Sequence, residues 1–303
     1  MSKKLLLIGG GTIATHYKKG LDKSQRYTLC ALADINSHCA TRSLFSVPFY
    51  TDFHDALTTD VDVALISTST NSHYDIAKQL LERNIAVITE KPMCETRDKV
   101  EELCSLAQQT DTPIGCMFHW VYADEVRYLK QHASEFGQIE RITVSVCDDY
   151  AASTDGNVRA DRKGLCGAWL DSGINILSYV GQLCDLRDHS LLRQERVSDA
   201  HGQEKYVHKV YRFGKTLADI TVDWRTASRE KTSEIVCQRG IITVNHTTQT
   251  VWLNGQVVYE NPTADRLASH YENAFAEFTL SKEELNHALL LHRILFEGEH
   301  NEE

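Results

Sequence analysis

The most constraining stretch of the chain is a short apolar run, Lys4 to Ile8, that passes without a spacer into Gly9-Gly10-Gly11-Thr12-Ile13-Ala14. An apolar run of that length bounded by glycines reads as a buried strand. Gly9, Gly11 and Ala14 satisfy the G-x-G-x-x-A spacing. Gly9 permits the tight turn, Gly11 lets the backbone approach a pyrophosphate, and Ala14 keeps the following helix close to the sheet. Thr12 and Ile13 lie at the start of that helix, where backbone amides face an anion. The next strand, Tyr27 to Ala33, ends at Asp34, about 20 residues past Ala14, where a carboxylate accepts hydrogen bonds from ribose hydroxyls and repels a 2′-phosphate. The stretch predicts a dinucleotide site for NAD, with NADP disfavoured. A bare glycine turn and a plain turn aspartate are the plain alternatives.

Strand and helix continue to alternate. Asn36 to Phe45 reads as helix, Val47 to Phe49 as extended, and Val61-Asp62-Val63-Ala64-Leu65-Ile66 as a buried strand ending in the polar turn Ser67 to His73. Ile76, Ala77, Leu80 and Leu81 recur at helical spacing, with Asn84 at the stop. The strand Ala86 to Thr89 then runs into Glu90-Lys91-Pro92. A lysine at the carboxyl end of a parallel strand opens into the crevice where open α/β sheets bind ligands. Pro92 restricts Lys91 to extended or turn conformations and so aims it. Thr96 caps a helix whose inner face is Val100, Leu103, Cys104 and Ala107, and Ile114 to Phe118 is the last strand of the series. Such alternation predicts a doubly wound parallel sheet.

The 303 residues suit two domains, 1–120 and 121–303. Past His119-Trp120-Val121-Tyr122 and a helix over Asp124 to Gln131, the pattern changes to short alternating strands. These are Gln138 to Val146, Tyr206 to Phe213, Leu217 to Trp224, Thr232 to Cys237, Ile241 to Asn245 and Val251 to Leu253, with an Asn254-Gly255 hairpin signal. Ser281 with Glu284 forms a capping box before Leu285, Leu289 and Ile294. The fold class expected is α/β: a Rossmann doubly wound parallel sheet followed by an α+β domain with a largely antiparallel open sheet.

Composition narrows the function. With 42% hydrophobic and 24% charged residues the chain reads as soluble and globular, and a formal charge of -10 disfavours a nucleic-acid partner. The apolar run after Met1 is too short for a signal peptide or membrane span, so a cytoplasmic location is expected, with no membrane partner. Nine cysteines, never spaced Cys-x-x-Cys, argue against a disulfide framework or structural zinc. No pair among the 14 histidines has the spacing of a zinc hydrolase, so no metal is expected.

Three features in order and spacing resemble the glucose-fructose oxidoreductase and inositol dehydrogenase family, often called Gfo/Idh/MocA. They are Gly9-x-Gly11-x-x-Ala14, the Thr68 to His73 turn with Asn71 and His73, and Glu90-Lys91-Pro92. The resemblance implies that Thr68, Asn71, His73 and Glu90 join the glycines at NAD(P), that Lys91 lies between nicotinamide and substrate, and that the Lys91-Pro92 bond is cis. Gly167 to Ser178 looks like the family's second-domain motif, an aspartate followed four residues on by a histidine. Here those positions are Asp171 and Asn175. An amide can orient a hydroxyl but does not titrate near neutral pH. Proton removal then falls to Asp171 or Lys91, or the protein is not a dehydrogenase.

A narrower resemblance, carried by Asp171 and Asn175, His119, Asp223-Trp224-Arg225 and the tail His270 to Phe278, is to aldose 1-dehydrogenases acting on D-galactose or L-arabinose. It implies that Asp171 and Asn175 meet the anomeric hydroxyl while His119, Trp120 and Trp224 line the sugar pocket. Those enzymes carry an arginine soon after the histidine, where this chain has Trp120-Val121-Tyr122. On its own pattern Trp224 alternates with Val222 and Ile220 and reads as core, and Arg159, Asp161, Arg162 and Lys163 read as a solvated loop, though a polar loop before the Asp171 helix can overhang a site. The expected activity is NAD-dependent oxidation of an aldopyranose at C1 to a lactone. Oxidation of a ring hydroxyl of a cyclitol or sugar derivative, and a non-catalytic NAD- and sugar-binding regulator, are the alternatives. The partners expected are a small sugar or polyol and further copies of the chain, joined through the second-domain sheet.

Overall fold

The computed structural model describes residues 2–298 except 59, 153, 155 and 262–264. The chain forms two compact units, 2–119 together with Leu267–His292, and 120–266 together with 293–298. The first begins with β1 (Lys3–Ile8), a single 3₁₀ turn at Ile13–His16, α1 (Tyr17–Lys23) and β2 (Tyr27–Ala33). It continues with β3 (Phe49–Tyr50), α2 (Phe53–Ala56), β4 (Val63–Ile66), α3 (Thr70–Leu81), β5 (Ala86–Glu90), α4 (Arg97–Gln109) and β6 (Ile114–Met117). The six strands are all parallel, in the order β3-β2-β1-β4-β5-β6. That order reverses between β1 and β4, which is where open sheets of this kind bind ligands. Every residue of β4 and β5 is buried, as a sheet covered on both faces requires. The Thr96 hydroxyl accepts from the Lys99 amide at the start of α4, whose expected inner face is buried.

The helix expected over Asn36 to Phe45 does not form. Asp34 Oδ1 accepts the Asn36 amide at 2.7 Å and Asn36 Oδ1 accepts the His38 amide at 2.9 Å, so side chains compete for the donors a helix would need. The segment runs as turns and is drawn onto the glycine loop: the Thr41 amide and hydroxyl both donate to the Gly10 carbonyl, at 3.2 and 3.0 Å.

The second unit holds α5 (Asp124–Phe136), β7 (Ile139–Cys147), α6 (Ile174–Val180) and seven further strands. These are β8 (His189–Ser198), β9 (Glu204–Phe213), β10 (Thr216–Asp223), β11 (Lys231–Cys237), β12 (Gly240–Asn245), β13 (Thr250–Leu253) and β14 (Gln256–Glu260). They form one sheet in the order β14-β13-β12-β11-β7-β10-β9-β8, antiparallel except where β10 runs parallel to β7. Burial alternates along β10, with Ala218, Ile220 and Val222 inside and Leu217, Asp219 and Thr221 half-exposed, so one face is packed and the other open. The turn between β13 and β14 uses Asn254 (φ 51°) and Gly255 (φ 80°), both left-handed as a two-residue hairpin demands. β8 is an addition to the expected set. Its edge position and its run Arg193-Gln194-Glu195 suppress the alternation that would mark it.

Within the second unit lies a buried polar chain. Glu125 Oε1 is 2.9 Å from His246 Nδ1, His246 Nε2 is 3.1 Å from the Ser233 hydroxyl, and that hydroxyl is 2.8 Å from the Tyr179 hydroxyl. Glu125 and His246 are both fully buried. Arg266 donates to the His246 carbonyl at 3.1 Å, and burial pulls its guanidinium below the usual range, with the Glu125 charge opposing.

The last helices, α7 (Arg266–Glu277) and α8 (Lys282–Leu295), were expected in the second domain, but Leu267–His292 packs with the first unit. Gly20 allows this: a Cβ there would lie 2.7 Å from both the Phe275 ring and the Tyr271 carbonyl. Tyr271, Ala274 and Phe275 are fully buried against α1. His292 donates from Nδ1 to the Ala288 carbonyl at 2.7 Å, and its Nε2 accepts the Met93 amide at 2.9 Å. That geometry requires a neutral ring, and burial lowers the His292 pKa to about 4. Between pH about 4 and 6.5 the unfolded chain therefore binds the proton that the folded chain refuses. The stabilisation is complete above the unfolded value and is lost as the pH falls toward the folded one. Denaturant titrations at pH 7 and pH 5 should differ by about 2 kcal/mol from this group, and His292→Gln should flatten that difference. Burial shifts His73 the same way, so some slope remains in the variant. Among the described residues, no helix is long and apolar enough to cross a membrane.

Candidate functional site

Six of the expected cofactor residues meet at one cleft of about 790 Å³ at the carboxyl ends of β1, β2 and β4. They are Gly9, Gly11, Thr12, Ile13, Asp34 and Thr68. Gly9 has φ 97°, and a Cβ there would sit 2.6 Å from the Ser67 carbonyl carbon, so only glycine lets the β1 and β4 loops touch. A Cβ on Gly11 would meet nothing within 4 Å, because the backbone at that point faces open space. A glycine that is sterically free yet lies between strand and helix suits a backbone meant for close approach by a ligand. Asp34 Oδ2 accepts the Gly10 amide at 2.6 Å, which holds the carboxylate at the end of β2 on the rim of the cleft. Ile35 beside it is 93% exposed, and Phe53 and His54 line the same cleft. Pattern reading missed these three, since loop residues carry no periodicity. These features fit a bound dinucleotide: an open glycine turn for the pyrophosphate, a carboxylate for the ribose and apolar side chains for a base. Asp34→Ser should weaken NAD binding about tenfold and raise the relative affinity for NADP, read by fluorescence titration with both dinucleotides.

Three other expected cofactor residues are not among those lining this cleft. Asn71 is exposed, and its side chain accepts the Ser69 hydroxyl at 2.7 Å. His73 is buried, with Nδ1 3.0 Å from the Pro92 carbonyl and Nε2 3.1 Å from the Thr68 carbonyl, so it ties the cofactor-cleft turn to the Lys91-Pro92 loop instead of facing the cleft. Burial depresses its pKa. Glu90 is 5% exposed and turns inward: its Oε1 accepts the Tyr17 hydroxyl at 2.6 Å and the Tyr271 hydroxyl at 2.8 Å, and its Oε2 faces the Lys91 amide at 3.2 Å. Burial first, then the Glu90 charge, holds both phenols well above their ordinary range, so they remain donors. The Lys91-Pro92 bond is cis, as the resemblance implied. His119 Nδ1 is 3.2 Å from His270 Nδ1 with the rings stacked. Among the described residues no three His, Cys, Asp or Glu side chains gather as a metal-holding group.

In the second unit, Cys166 (φ 63°) and Gly167 (φ 104°) turn the chain into a helix that begins with one π turn, Trp169–Gly173, before α6. Such a turn widens the helix by a residue and recurs at functional sites. Its cause is packing. The Trp169 amide donates to Glu204 Oε1 at 2.7 Å and its indole Nε1 to the Leu295 carbonyl at 2.8 Å, while the Lys209 ammonium sits 4.5 Å over the ring. Gly173 must be glycine, for a Cβ would lie 2.5 Å from that indole. Asp171 sits in the π turn and Asn175 just beyond it, both half-exposed. The Asn175 Oδ1 is buried with no hydrogen-bond partner among the described residues, an expense a folded protein normally avoids.

Tyr150, which sequence reading did not single out, belongs with this group. Its ring meets Trp224 edge-on at 5.0 Å, the Arg162 guanidinium lies 4.7 Å over it, and burial followed by the Asp148 and Asp171 charges pushes its hydroxyl up to about 12. It sits in an irregular segment where no pattern marks it. The two tryptophans expected at a sugar are interior. Trp120 is 3% exposed, packed on Tyr179 and His246, and Trp224 is fully buried because its position alternates with Val222 and Ile220 on the packed face. The Trp224 indole nitrogen nevertheless has no partner among the described residues.

Residues 3–118 match the family model GFO_IDH_MocA, the oxidoreductase family with an NAD-binding Rossmann fold. The Salmonella typhimurium protein YceM is 26% identical over 154 residues, 46% of this chain and 48% of YceM. The chain thus aligns with about half the length of that curated relative. Among solved structures, an oxidoreductase from Agrobacterium radiobacter, in complex with NAD+, L-tartaric acid and magnesium, superposes with a TM-score of 0.80 at 13% identity, covering 97% of this chain and 94% of that one. D-galactose-1-dehydrogenase from Rhizobium etli superposes with a TM-score of 0.77 at 18% identity, covering 97% and 93%. At such identities these likenesses establish the fold.

Proposed function

We propose that this protein, whose residues 3–118 match the model of an oxidoreductase family with an NAD-binding Rossmann fold, is an NAD-dependent sugar dehydrogenase that oxidises C1 of an aldopyranose to the lactone. NAD held at the glycine turn, with Asp34 on its ribose, supplies the hydride acceptor. The observation that carries the sugar reading is the Asp171 and Asn175 pair on its widened turn. The buried amide oxygen of Asn175, which has no donor among the described residues, is suited to accept a hydrogen bond from a substrate hydroxyl and so orient the anomeric group. Asp171 accepts the proton as the hydride leaves, and Lys91 steadies the developing alkoxide by its positive charge. Tyr150 adds a donor beside Asp171. Self-association is assigned to the open face of the second-unit sheet, where Ile241 is 46% exposed.

The test is a panel of aldopyranoses and cyclitols with NAD, followed by absorbance of the reduced nicotinamide, with hydroxylamine added to trap any lactone as its hydroxamate. Reduction with hydroxamate from an aldose supports the proposal. Reduction with cyclitols alone moves the reaction to a ring hydroxyl. Tight NAD binding with no reduction by any member leaves a regulator.

A further inference from the structure

Phe53 and His54 follow β3 at the start of α2, beside the carboxyl end of β2, and line the cleft that carries Asp34. The His54 ring is held at both nitrogens. Nδ1 is 2.7 Å from Asp52 Oδ1, and Nε2 is 2.7 Å from Gln79 Oε1 on α3. The Gln79 amide is oriented by its own nitrogen, which donates to the Asp75 carbonyl at 3.1 Å, so it is the oxygen that meets the imidazole. A carboxylate and an amide oxygen can only accept, whereas a neutral imidazole offers one donor and one lone pair. Both bonds therefore form together only on the imidazolium. The His54 ring lies against Phe53, with centroids 4.0 Å apart, and its side chain is 41% exposed, so protons exchange with solvent freely.

We propose that His54 is a cofactor-positioning residue: its two bonds tie α2 to α3 at the adenosine end of the dinucleotide cleft, and NAD binds more tightly to the tied, protonated form. Phe53 and His54 line the cleft from α2, and Ser72 and Ile76 line it from α3. A bond between the two helices holds these side chains at one spacing before the base arrives, which lowers the cost of ordering them. Without the second ring proton, one of the two bonds becomes a contact between lone pairs and is lost. Gln79 first and then Asp52 raise the His54 pKa above the ordinary histidine value, while slight burial and the charge of Arg83, which donates to the Gln79 carbonyl at 2.9 Å on α3, oppose them. Among the described residues lining the cleft, the remaining charged side chain is Asp34, whose oxygens accept the Gly10 and Asn36 amides. Because the cation is the form that binds, affinity is complete below the His54 midpoint and declines as the pH rises through it. By reciprocity, NAD raises that midpoint. Water screens a ring so exposed and keeps the coupling small, at about half a pH unit or about threefold in Kd. This role rests on the cleft being the NAD site and holds for any substrate.

The test follows the Cε1 proton of His54 by NMR against pH in the full chain, with and without saturating NAD, the signal being assigned by its loss in His54→Gln. NAD should raise the midpoint by about half a pH unit. Calorimetric titration with NAD about one unit below and about two units above that midpoint should show about threefold weaker binding at the higher pH in wild type, and equal binding at both in His54→Gln. Gln79→Leu keeps the ring but removes its acceptor on α3, and should abolish the NAD-linked shift. A midpoint that NAD leaves in place, a pH dependence that persists in His54→Gln, or a full shift in Gln79→Leu overturns the role of His54 while leaving the cofactor site standing. A wild-type chain that binds no NAD at any pH refutes the cofactor site, and this role with it.

Discussion

Asp171→Ala should lower kcat with NAD and the cognate sugar by roughly 10²- to 10⁴-fold, the range over which a positioned general base contributes. NAD affinity should be unchanged, because no residue of the dinucleotide cleft is altered. The carboxylate is half-exposed in a π turn held by Trp169, Glu204 and Lys209, so its removal leaves those anchors in place and the circular dichroism spectrum should match wild type. Lys91→Met should cost a comparable factor, again at constant fold. An equal fall in kcat and kcat/KM marks interactions made in the transition state, whereas a rise in KM alone would assign the group to uniform binding. Wild-type turnover in both variants would remove the proposed chemistry.

The largest loss of stability is expected at His246, far from any proposed chemistry. His246→Ala leaves Glu125 fully buried without the imidazole that now lies 2.9 Å away. Breaking one side of such a pair costs about 3–5 kcal/mol. Denaturant unfolding followed by tryptophan fluorescence should show this as a lowered midpoint with a similar slope. Replacing both partners, as in Glu125→Leu/His246→Leu, should recover part of the loss, since no buried polar group is then left without its partner. A single-variant loss under about 1 kcal/mol would mean that water reaches Glu125.

What was legible in the chain followed from periodicity and from glycine. The parallel strands of the first unit were readable because β4 and the start of β5 are apolar runs, and the glycine turn was readable from its spacing, Gly9 being required by the close approach of Ser67 and Gly11 leaving the backbone open. The turn segment after Asp34 was misread because helix propensity there yields to Asn36 and Asp34 side chains that take the backbone amides. Glu90 and His73 were placed near the cofactor by motif, whereas burial directs one to tyrosines and the other to backbone carbonyls. Tyr17 and Tyr271 lie on helices widely separated in sequence, and no local spacing joins them. The π turn was equally hidden, since it arises from the bulk of Trp169 against Gly173.

The return of Leu267–His292 to the first unit bears on biosynthesis. The ribosome releases the strands of that unit before the second unit, yet Tyr17 and Tyr27 await the Phe275 ring, and Gly115 awaits Phe278, both of which follow only after 120–266 has been made. Throughout that interval the nascent polypeptide carries a sticky apolar groove, the condition under which multidomain chains misassemble or recruit chaperones. A fragment stopping at His119 should therefore precipitate when expressed alone, however complete its nucleotide fingerprint looks on paper.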